Sequence, residues 1–270
     1  MKKIYLNLKR FDIPKELGGI NNLNKGCAWA KSITSTINKL SGLDYTIFFP
    51  EAYVLPAVET AENVKIGCQG VHFEDVEVGG NFGAFTSFRT AKSMQALGVK
   101  ATMIGHCEER RGKQILLDLG GGKGDLNEIL NREIIHATKA GLDVLYCIGE
   151  KSDEQENRFE VLRRQLEIGL KDVDLSKITI AYEPVWAIGV GKTPPGREYI
   201  QEIAQFIKSV FPLSVVYGGG LKEENAKMIG SIPEVDGGLI ALTRFGEDFG
   251  FYLDDFKKIV EKYKEAFDES

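Results

Sequence analysis

Eight short apolar segments, rich in residues that favour β-strands, alternate along this chain with eight segments of helical pattern. The strand segments are residues 3–8, 44–50, 63–69, 101–106, 143–149, 177–183, 213–218 and 236–242. The helical segments are residues 24–40, 51–61, 87–98, 125–141, 152–171, 196–211, 222–230 and 250–267. The alternation predicts an α/β fold, and continuous apolar strands are typical of parallel strands that are buried on both faces.

Closure of the eight strands into a barrel is the arrangement that best fits this pattern. A doubly wound open sheet would also alternate, but eight βα units within 270 residues favour a closed parallel (β/α)8 barrel. Ser87 and Asp125 stand where helix N-caps are expected, and Gly98 and Gly141 stand where C-caps are expected. The glycine-rich and basic residues 110–124 read as an inserted loop. We therefore expect residues 1–270 to form one domain.

Composition excludes several classes of partner. The formal charge of −5 gives no reason to expect nucleic acid or an anionic membrane, and no run of about 20 apolar residues could span a bilayer. The chain starts a strand almost at once and lacks the apolar stretch of a signal peptide. Its four cysteines have no CxxC spacing, so they read as reduced thiols and not as disulfides or a zinc site. These features predict a cytoplasmic protein without a metal.

Residues 181–194 restrict the range of possible functions more than any other segment of the sequence. Glu183 ends a run of strand-forming residues, and a segment bounded by Pro184 and Pro194 follows it. Gly189 and Gly191 leave the backbone N–H groups of that segment accessible, which predicts a hinged lid over residues 185–193. A base at a strand end beside a lid is suited to removing a proton where water is excluded.

In a barrel, functional groups project from the carboxyl ends of the strands. Those ends carry the base candidate together with an amide, an ammonium, an imidazole and a glycine-rich turn: Asn7, Lys9, His106, Glu183 and Gly218 to Gly220. This set predicts proton abstraction next to a carbonyl group of an anionic substrate.

Six motifs, in order along nearly the whole chain, resemble those of the triosephosphate isomerase family. Asn-Leu-Lys at 7–9 is similar to the family's Asn-Trp-Lys, Ile-Gly-His-Cys-Glu at 104–108 to its Gly-His-Ser-Glu, and Tyr-Gly-Gly-Gly at 217–220 to its Tyr-Gly-Gly-Ser. Gly-Ala-Phe-Thr at 83–86 resembles its dimer-forming loop, Cys-Ile-Gly-Glu at 147–150 its fifth strand, and residues 181–194 its catalytic-base and lid segment. The resemblance implies a TIM barrel that interconverts glyceraldehyde 3-phosphate and dihydroxyacetone phosphate in glycolysis and gluconeogenesis.

The resemblance also implies roles for individual residues. Glu183 would be the base, His106 a neutral hydrogen-bond donor to the developing oxyanion, Lys9 a fixed positive charge, and Asn7 a group that orients the substrate. Backbone N–H groups of three glycines, Gly189, Gly219 and Gly220, would bind the phosphate. No metal or organic cofactor is expected. Residues 79–86 would protrude into a second copy, so a homodimer is expected.

The strand-eight loop departs from the family pattern. Where the family carries a glycine pair that binds phosphate, this chain has Ala241 and Leu242, followed by Thr243 and Arg244. We expect Arg244 to replace the lost contacts, because a guanidinium binds phosphate through paired hydrogen bonds; the alternative is that it points to solvent. The remodelled loop leaves two other functions open. These are an isomerase of another small sugar phosphate, such as a tetrulose (erythrulose) phosphate, and a catalytically silent paralogue with a binding role.

Overall fold

The computed structural model describes residues 1–80, 82–189, 191–246 and 248–268, without the side chain of Asp268. Eight parallel strands pair in the order β1 to β8, and β1 also pairs with β8, which closes the barrel. The strands are β1 Lys3–Asn7, β2 Asp44–Phe49, β3 Lys65–Cys68, β4 Ala101–Ile104, β5 Asp143–Ile148, β6 Ile178–Tyr182, β7 Ser214–Tyr217 and β8 Gly237–Ile240. All eight predicted strands are confirmed, each one to three residues shorter than its apolar segment, and the predicted (β/α)8 barrel is confirmed with them.

Helices surround the strands. They are α1 Cys27–Ile37, α2 Val54–Val58, α3 Ala91–Ala96, α4 Cys107–Leu119, α5 Leu126–Lys139, α6 Arg158–Gly169, α7 Arg197–Val210, α8 Glu223–Gly230 and α9 Leu253–Asp268. Short 3-10 turns precede α2 and α6, at Glu51–Tyr53 and Ser152–Asn157. None of the helices that the structure describes combines the length and the apolar character needed to cross a bilayer.

Two predictions about the helices are wrong. The N-cap of α3 is Thr90, whose hydroxyl accepts from the N–H of Ser93, and not Ser87. Residues 110–124 are not a loop over their whole length, because α4 continues to Leu119 and only the glycine-rich end turns. Asp125 does cap α5 through the N–H of Asn127, and Gly98 and Gly141 have the positive φ of helix-ending glycines.

The core has two layers, because successive side chains of a strand point to opposite faces. Tyr5 lies inside the barrel, whereas its neighbours Ile4 and Leu6 pack between the sheet and the helices. The interior layer consists of Tyr5, Phe48, Ala101, Met103, Leu145, Cys147, Ala181, Val216 and Leu239. Both faces of the strands are therefore buried, which explains why their sequences are apolar without alternation.

Candidate active site

The carboxylate of Glu183 lies at the end of β6, with 3% of the residue exposed. Its Oε1 is 3.5 Å from Nε2 of His106, and its Oε2 accepts from the backbone N–H of Cys107 at 3.3 Å. The backbone of Glu183 approaches Gly149 so closely that a Cβ at position 149 would lie 1.7 Å from the carbonyl oxygen of Glu183. Only glycine at the end of β5 allows the base to occupy this place.

His106 is the N-cap of α4. Its Nδ1 accepts from the backbone N–H of Glu108 at 3.3 Å, which requires that Nδ1 carry no proton. The ring proton therefore resides on Nε2, the nitrogen that faces Glu183 and the cavity. A hydrogen-bond donor is thus directed at the place where a substrate oxygen would lie.

Lys9 follows β1 in an unusual backbone conformation, with φ of 39°. The backbone N–H of Lys9 donates to Oδ1 of Asn7 at 2.9 Å. The side-chain NH2 group of Gln69 donates to the carbonyl oxygen of Lys9 at 2.9 Å and to Oδ1 of Asn7 at 3.3 Å. Left-handed backbone in a residue other than glycine costs of order 1 kcal/mol and persists only where contacts impose it. Asn7 and Gln69 supply those contacts, so the conformation of Lys9 is built into the ends of β1 and β3.

The ammonium of Lys9 pairs with Oε1 of Glu108 at 2.5 Å. Burial by itself raises the pKa of Glu108, but the hydrogen bond and charge of Lys9, together with His106, outweigh burial and lower that pKa. Glu108 is therefore an anion that holds Lys9 at the mouth of the cavity, and its N–H orients His106 at the same time.

The predicted lid begins with a 3-10 turn, Val185–Ala187, and Gly189 has a positive φ of 118°. Glu150, which is fully buried, anchors this turn: its Oε1 accepts from the indole of Trp186 at 2.7 Å and from the hydroxyls of Tyr182 at 2.9 Å and Tyr199 at 3.0 Å. Val190 of the lid and Asn81 of the 79–86 loop lie outside the described residues.

One cavity contains most of the residues predicted from the sequence. It is lined by Asn7, Lys9, His106 and Glu183, by Gly189 of the lid and by Gly220 after β7. Gly219 is not among its lining residues, and its carbonyl oxygen accepts from the Tyr217 hydroxyl at 2.8 Å. The structure thus brings together six of the eight predicted residues.

Arg244 is the other residue that the structure does not bring into the cavity. Its Nε is 2.5 Å from Oδ2 of Asp255 on α9, and its guanidinium lies 3.8 Å from the ring centre of Tyr252. The next residue, Phe245, does line the cavity, as do Ala241 and Leu242. A role for Arg244 in phosphate binding remains a prediction, and this ion pair argues against it.

Cys107 stands beside the site but is a poor nucleophile. Burial, together with the negative charge of Glu183, raises the pKa of its thiol to about 12. The Cys107 sulfur, His106 Nε2 and a Glu183 oxygen lie within 4.8 Å of one another, close enough to hold a cation. The tautomer of His106 and the protonated thiol make them unfavourable ligands, because metals bind the unprotonated nitrogen and the thiolate.

Sequence reasoning assigned no role to Gln69, Glu150 or Lys222. Glu150 and Gln69 follow strands β5 and β3, so their position at the carboxyl ends of the strands could have identified them as site residues. Lys222 lines the cavity after the glycine-rich turn, and nothing in its local sequence distinguishes it from a solvated lysine.

A closed barrel with a buried carboxylate and a donor imidazole at its strand ends defines the class of (β/α)8 enzymes that move protons on small substrates. The family model described as Triosephosphate isomerase matches residues 20–262. The triosephosphate isomerase of Carboxydothermus hydrogenoformans is 30% identical over 259 residues, which are 89% of this chain and 93% of that protein. That of Geobacter metallireducens is 36% identical over 212 residues, 72% of this chain and 78% of that protein.

A crystal structure of triosephosphate isomerase from Bartonella henselae superposes with a TM-score of 0.71 and 27% identity, covering 97% of this chain and 99% of that one. The chain belongs to the triosephosphate isomerase family, as its motifs predict.

Proposed function

We propose that this protein is an aldose–ketose isomerase that interconverts glyceraldehyde 3-phosphate and dihydroxyacetone phosphate through an enediol intermediate. The observation that carries the proposal is the buried carboxylate of Glu183, 3.5 Å from Nε2 of His106 in a cavity beside the lid segment. Membership of the family supports both the reaction and an intracellular sugar-phosphate substrate. The chemistry requires no metal or organic cofactor.

Glu183 takes the proton from the substrate carbon. The residue is 3% exposed, and closure of residues 185–193 over the cavity would remove the remaining water, which strengthens the carboxylate as a base. His106 donates from Nε2 to the oxygen on which negative charge develops. Because Nε2 already faces the carboxylate, one substrate carbon and its oxygen can contact both groups at once.

Lys9 and Asn7 complete the polar wall. The ammonium of Lys9 adds positive charge beside the oxyanion, and its pairing with Glu108 fixes its position. Oδ1 of Asn7 is occupied by the N–H of Lys9 and by Gln69, so contact with a substrate oxygen comes from its NH2 group. The N–H groups of Gly189 and Gly220, which line the cavity, hold the phosphate; Gly219, predicted with them, does not line it.

The working form of this enzyme is a cytoplasmic homodimer. Phe82, 95% exposed, and the fully exposed Val78 lie on or beside the 79–86 loop, and Ile115, Leu116 and Leu119 add exposed apolar surface on α4. Exposed apolar side chains in this number are unfavourable in water and favour coverage by a second copy.

A tetrulose phosphate is the second candidate substrate. The observation that favours it is the strand-eight loop, where Ala241, Leu242 and Phe245 contribute side chains to the lining of the cavity. A silent paralogue is the third candidate, although a binding role does not require the alignment of base and imidazole. Rates of isomerisation of glyceraldehyde 3-phosphate and of the erythrulose phosphates, measured side by side, separate the three. Faster turnover of a four-carbon substrate would replace the triose assignment, and turnover of neither would contradict an isomerase function.

A further inference from the structure

Part of the cavity lining is apolar, formed by Leu221, Ala241, Leu242 and Phe245. Besides Lys9, the cationic side chains in the lining are Lys192 of the lid and Lys222 before α8. Lys192 is exposed, whereas Lys222 is half-buried. An anion bound beside these two lysines would therefore contact one cation, Lys222, that is not part of the lid.

Two groups hold Lys222 in position. Its Nζ lies 4.2 Å from the ring centre of Phe245, a cation–π contact between the loops that follow β7 and β8. Its backbone N–H donates to Oδ1 of Asn225 at 2.8 Å, and Nδ2 of Asn225 donates to the carbonyl oxygen of Gly220 at 3.0 Å. Asn225 thereby fixes the turn from Gly220 to Lys222, so the ammonium and the Gly220 backbone are presented together.

Two neighbouring side chains of the strand-eight loop lie differently. Arg244 pairs with Asp255 and does not line the active-site cavity, whereas Phe245 lines it and contacts Lys222. Lys222 and Phe245 also line an adjacent cavity, together with Arg244 and Asp255. Among the described residues, Lys222 forms no ion pair, so its ammonium is available to a ligand. We infer that the ammonium of Lys222, held on Phe245, is the charged group that binds the phosphate of the substrate, and that Arg244 is not.

This inference rests on the proposed function for its substrate but makes a separate claim about binding. A phosphate contact of this kind is the same in the ground state and in the transition state, so it determines KM and not kcat. It also distinguishes a dianionic sugar phosphate from the neutral sugar. Lys222 would thus determine which substrates bind in a reactive position, while Glu183 and His106 carry out the proton transfer.

The test measures binding of inorganic phosphate by calorimetry, and kinetics with glyceraldehyde 3-phosphate and with unphosphorylated glyceraldehyde. In Lys222→Met we expect Kd for phosphate and KM for the phosphorylated substrate to rise about tenfold or more, with kcat/KM for glyceraldehyde unchanged. Lys222→Arg should restore most of the binding. Phe245→Leu, which keeps the wall apolar but removes the ring, should raise Kd about threefold.

Two variants control for charge. Lys171→Met removes an exposed cation after α6, at the other end of the barrel, and Arg244→Met removes the guanidinium that faces Asp255. Phosphate binding of Lys222→Met within about twofold of wild type, or a larger loss in Arg244→Met, would overturn the inference. Calorimetry reports on Lys222 even if the protein turns over no triose phosphate, so failure of the proposed function and failure of this inference are distinguishable.

Discussion

Glu183 is the residue whose replacement bears most directly on the proposed chemistry. Glu183→Gln retains the shape of the side chain and an oxygen for the N–H of Cys107, but removes the basic carboxylate. We expect kcat to fall by at least about a thousandfold, with an unchanged circular dichroism spectrum. The matched control is Glu160→Gln on the exposed face of α6, which should be neutral. Activity of Glu183→Gln within about tenfold of wild type would assign the base to another group.

Cys107 gives a second prediction at this scale. With a pKa of about 12, its thiol holds almost no thiolate near neutral pH, whereas Cys27 is exposed. Iodoacetamide should therefore label Cys27 first, as read by mass spectrometry of peptides. In Glu183→Gln the loss of the neighbouring negative charge should accelerate labelling of Cys107. Equal labelling of Cys27 and Cys107 in the wild type would show that the thiol is activated, contrary to its surroundings.

Single residues also show where sequence reasoning succeeds and fails. Asn7, Lys9, His106 and Glu183 were predictable because each lies at the end of a strand or within two residues of it, and parallel strands bring their carboxyl ends to one edge. Arg244 was not predictable, because its direction depends on Asp255, eleven residues later on α9. Lys222 was missed for a related reason: its place in the cavity depends on Phe245, which follows a different strand.

The lid is the element with the clearest testable anchor. Glu150 binds the first turn of the lid through Trp186 and has a second oxygen, Oε2, buried without a hydrogen-bond partner among the described residues. Trp186→Phe removes the indole donor, and loss of such a contact to a buried charge costs about 1–3 kcal/mol. We expect faster tryptic cleavage after Lys192 and a KM raised severalfold. Ile188→Leu, a lid substitution that leaves Glu150 untouched, is the control; unchanged cleavage in Trp186→Phe would mean that Glu150 does not restrain the lid.

Helix α4 was predicted as a loop because polar contacts, and not an apolar face, hold it in place. None of its residues is buried. Arg110 donates to the carbonyl oxygens of Gly105 and Cys147, and the ammonium of Lys113 contacts the carboxylate of Glu133 on α5. The apolar residues Ile115, Leu116 and Leu119 of α4 are exposed, so the expectation that a helix buries an apolar face against the core did not identify it.

The contact between α4 and α5 predicts a pH dependence of stability. Burial and the nearby Glu109 raise the pKa of Glu133 to about 8, and Lys113 offsets this only in part. Between pH 4.5, the ordinary pKa of a glutamate, and about pH 8, the folded protein retains a proton that the unfolded chain releases. The stability that this proton contributes is therefore complete below pH 4.5 and is lost as the pH rises towards 8.

Urea unfolding across that window measures the effect. Relative to Glu133→Gln, which does not titrate, the wild type should lose up to about 1.4 kcal/mol per pH unit. Glu128→Gln, on the exposed face of α5, should follow the wild type. A constant difference between wild type and Glu133→Gln across the window would mean that Lys113 keeps the carboxylate ionised throughout.

The whole molecule was predictable in architecture because its pattern repeats eight times. Any one strand could be misjudged by up to three residues without changing the number of βα units, and closure follows from β1 pairing with β8. The expectation of one domain is a separate prediction. It can be tested in Trp186→Phe, where Trp29 is the remaining tryptophan. During unfolding of that variant, far-UV circular dichroism and Trp29 fluorescence should change in one coincident transition. Two separate transitions would indicate independent units within the barrel.

Association concerns the whole molecule and depends most on residues 79–86. Phe82 is 95% exposed with a positive φ of 49°, an arrangement that is costly in an isolated chain, whereas Phe85 is half-buried against His72.

Light scattering at micromolar concentration should give twice the mass of the chain. Phe82→Lys should reduce the measured mass to that of the monomer, because a charge cannot be buried without a partner. Leu17→Lys, at an apolar residue that is 75% exposed in the 3-10 turn Lys15–Leu17, should remain dimeric. The monomeric variant should also lose activity, since the partner's loop is expected to support Lys9 and His106. A wild type that is monomeric and fully active would contradict both the dimer and that support.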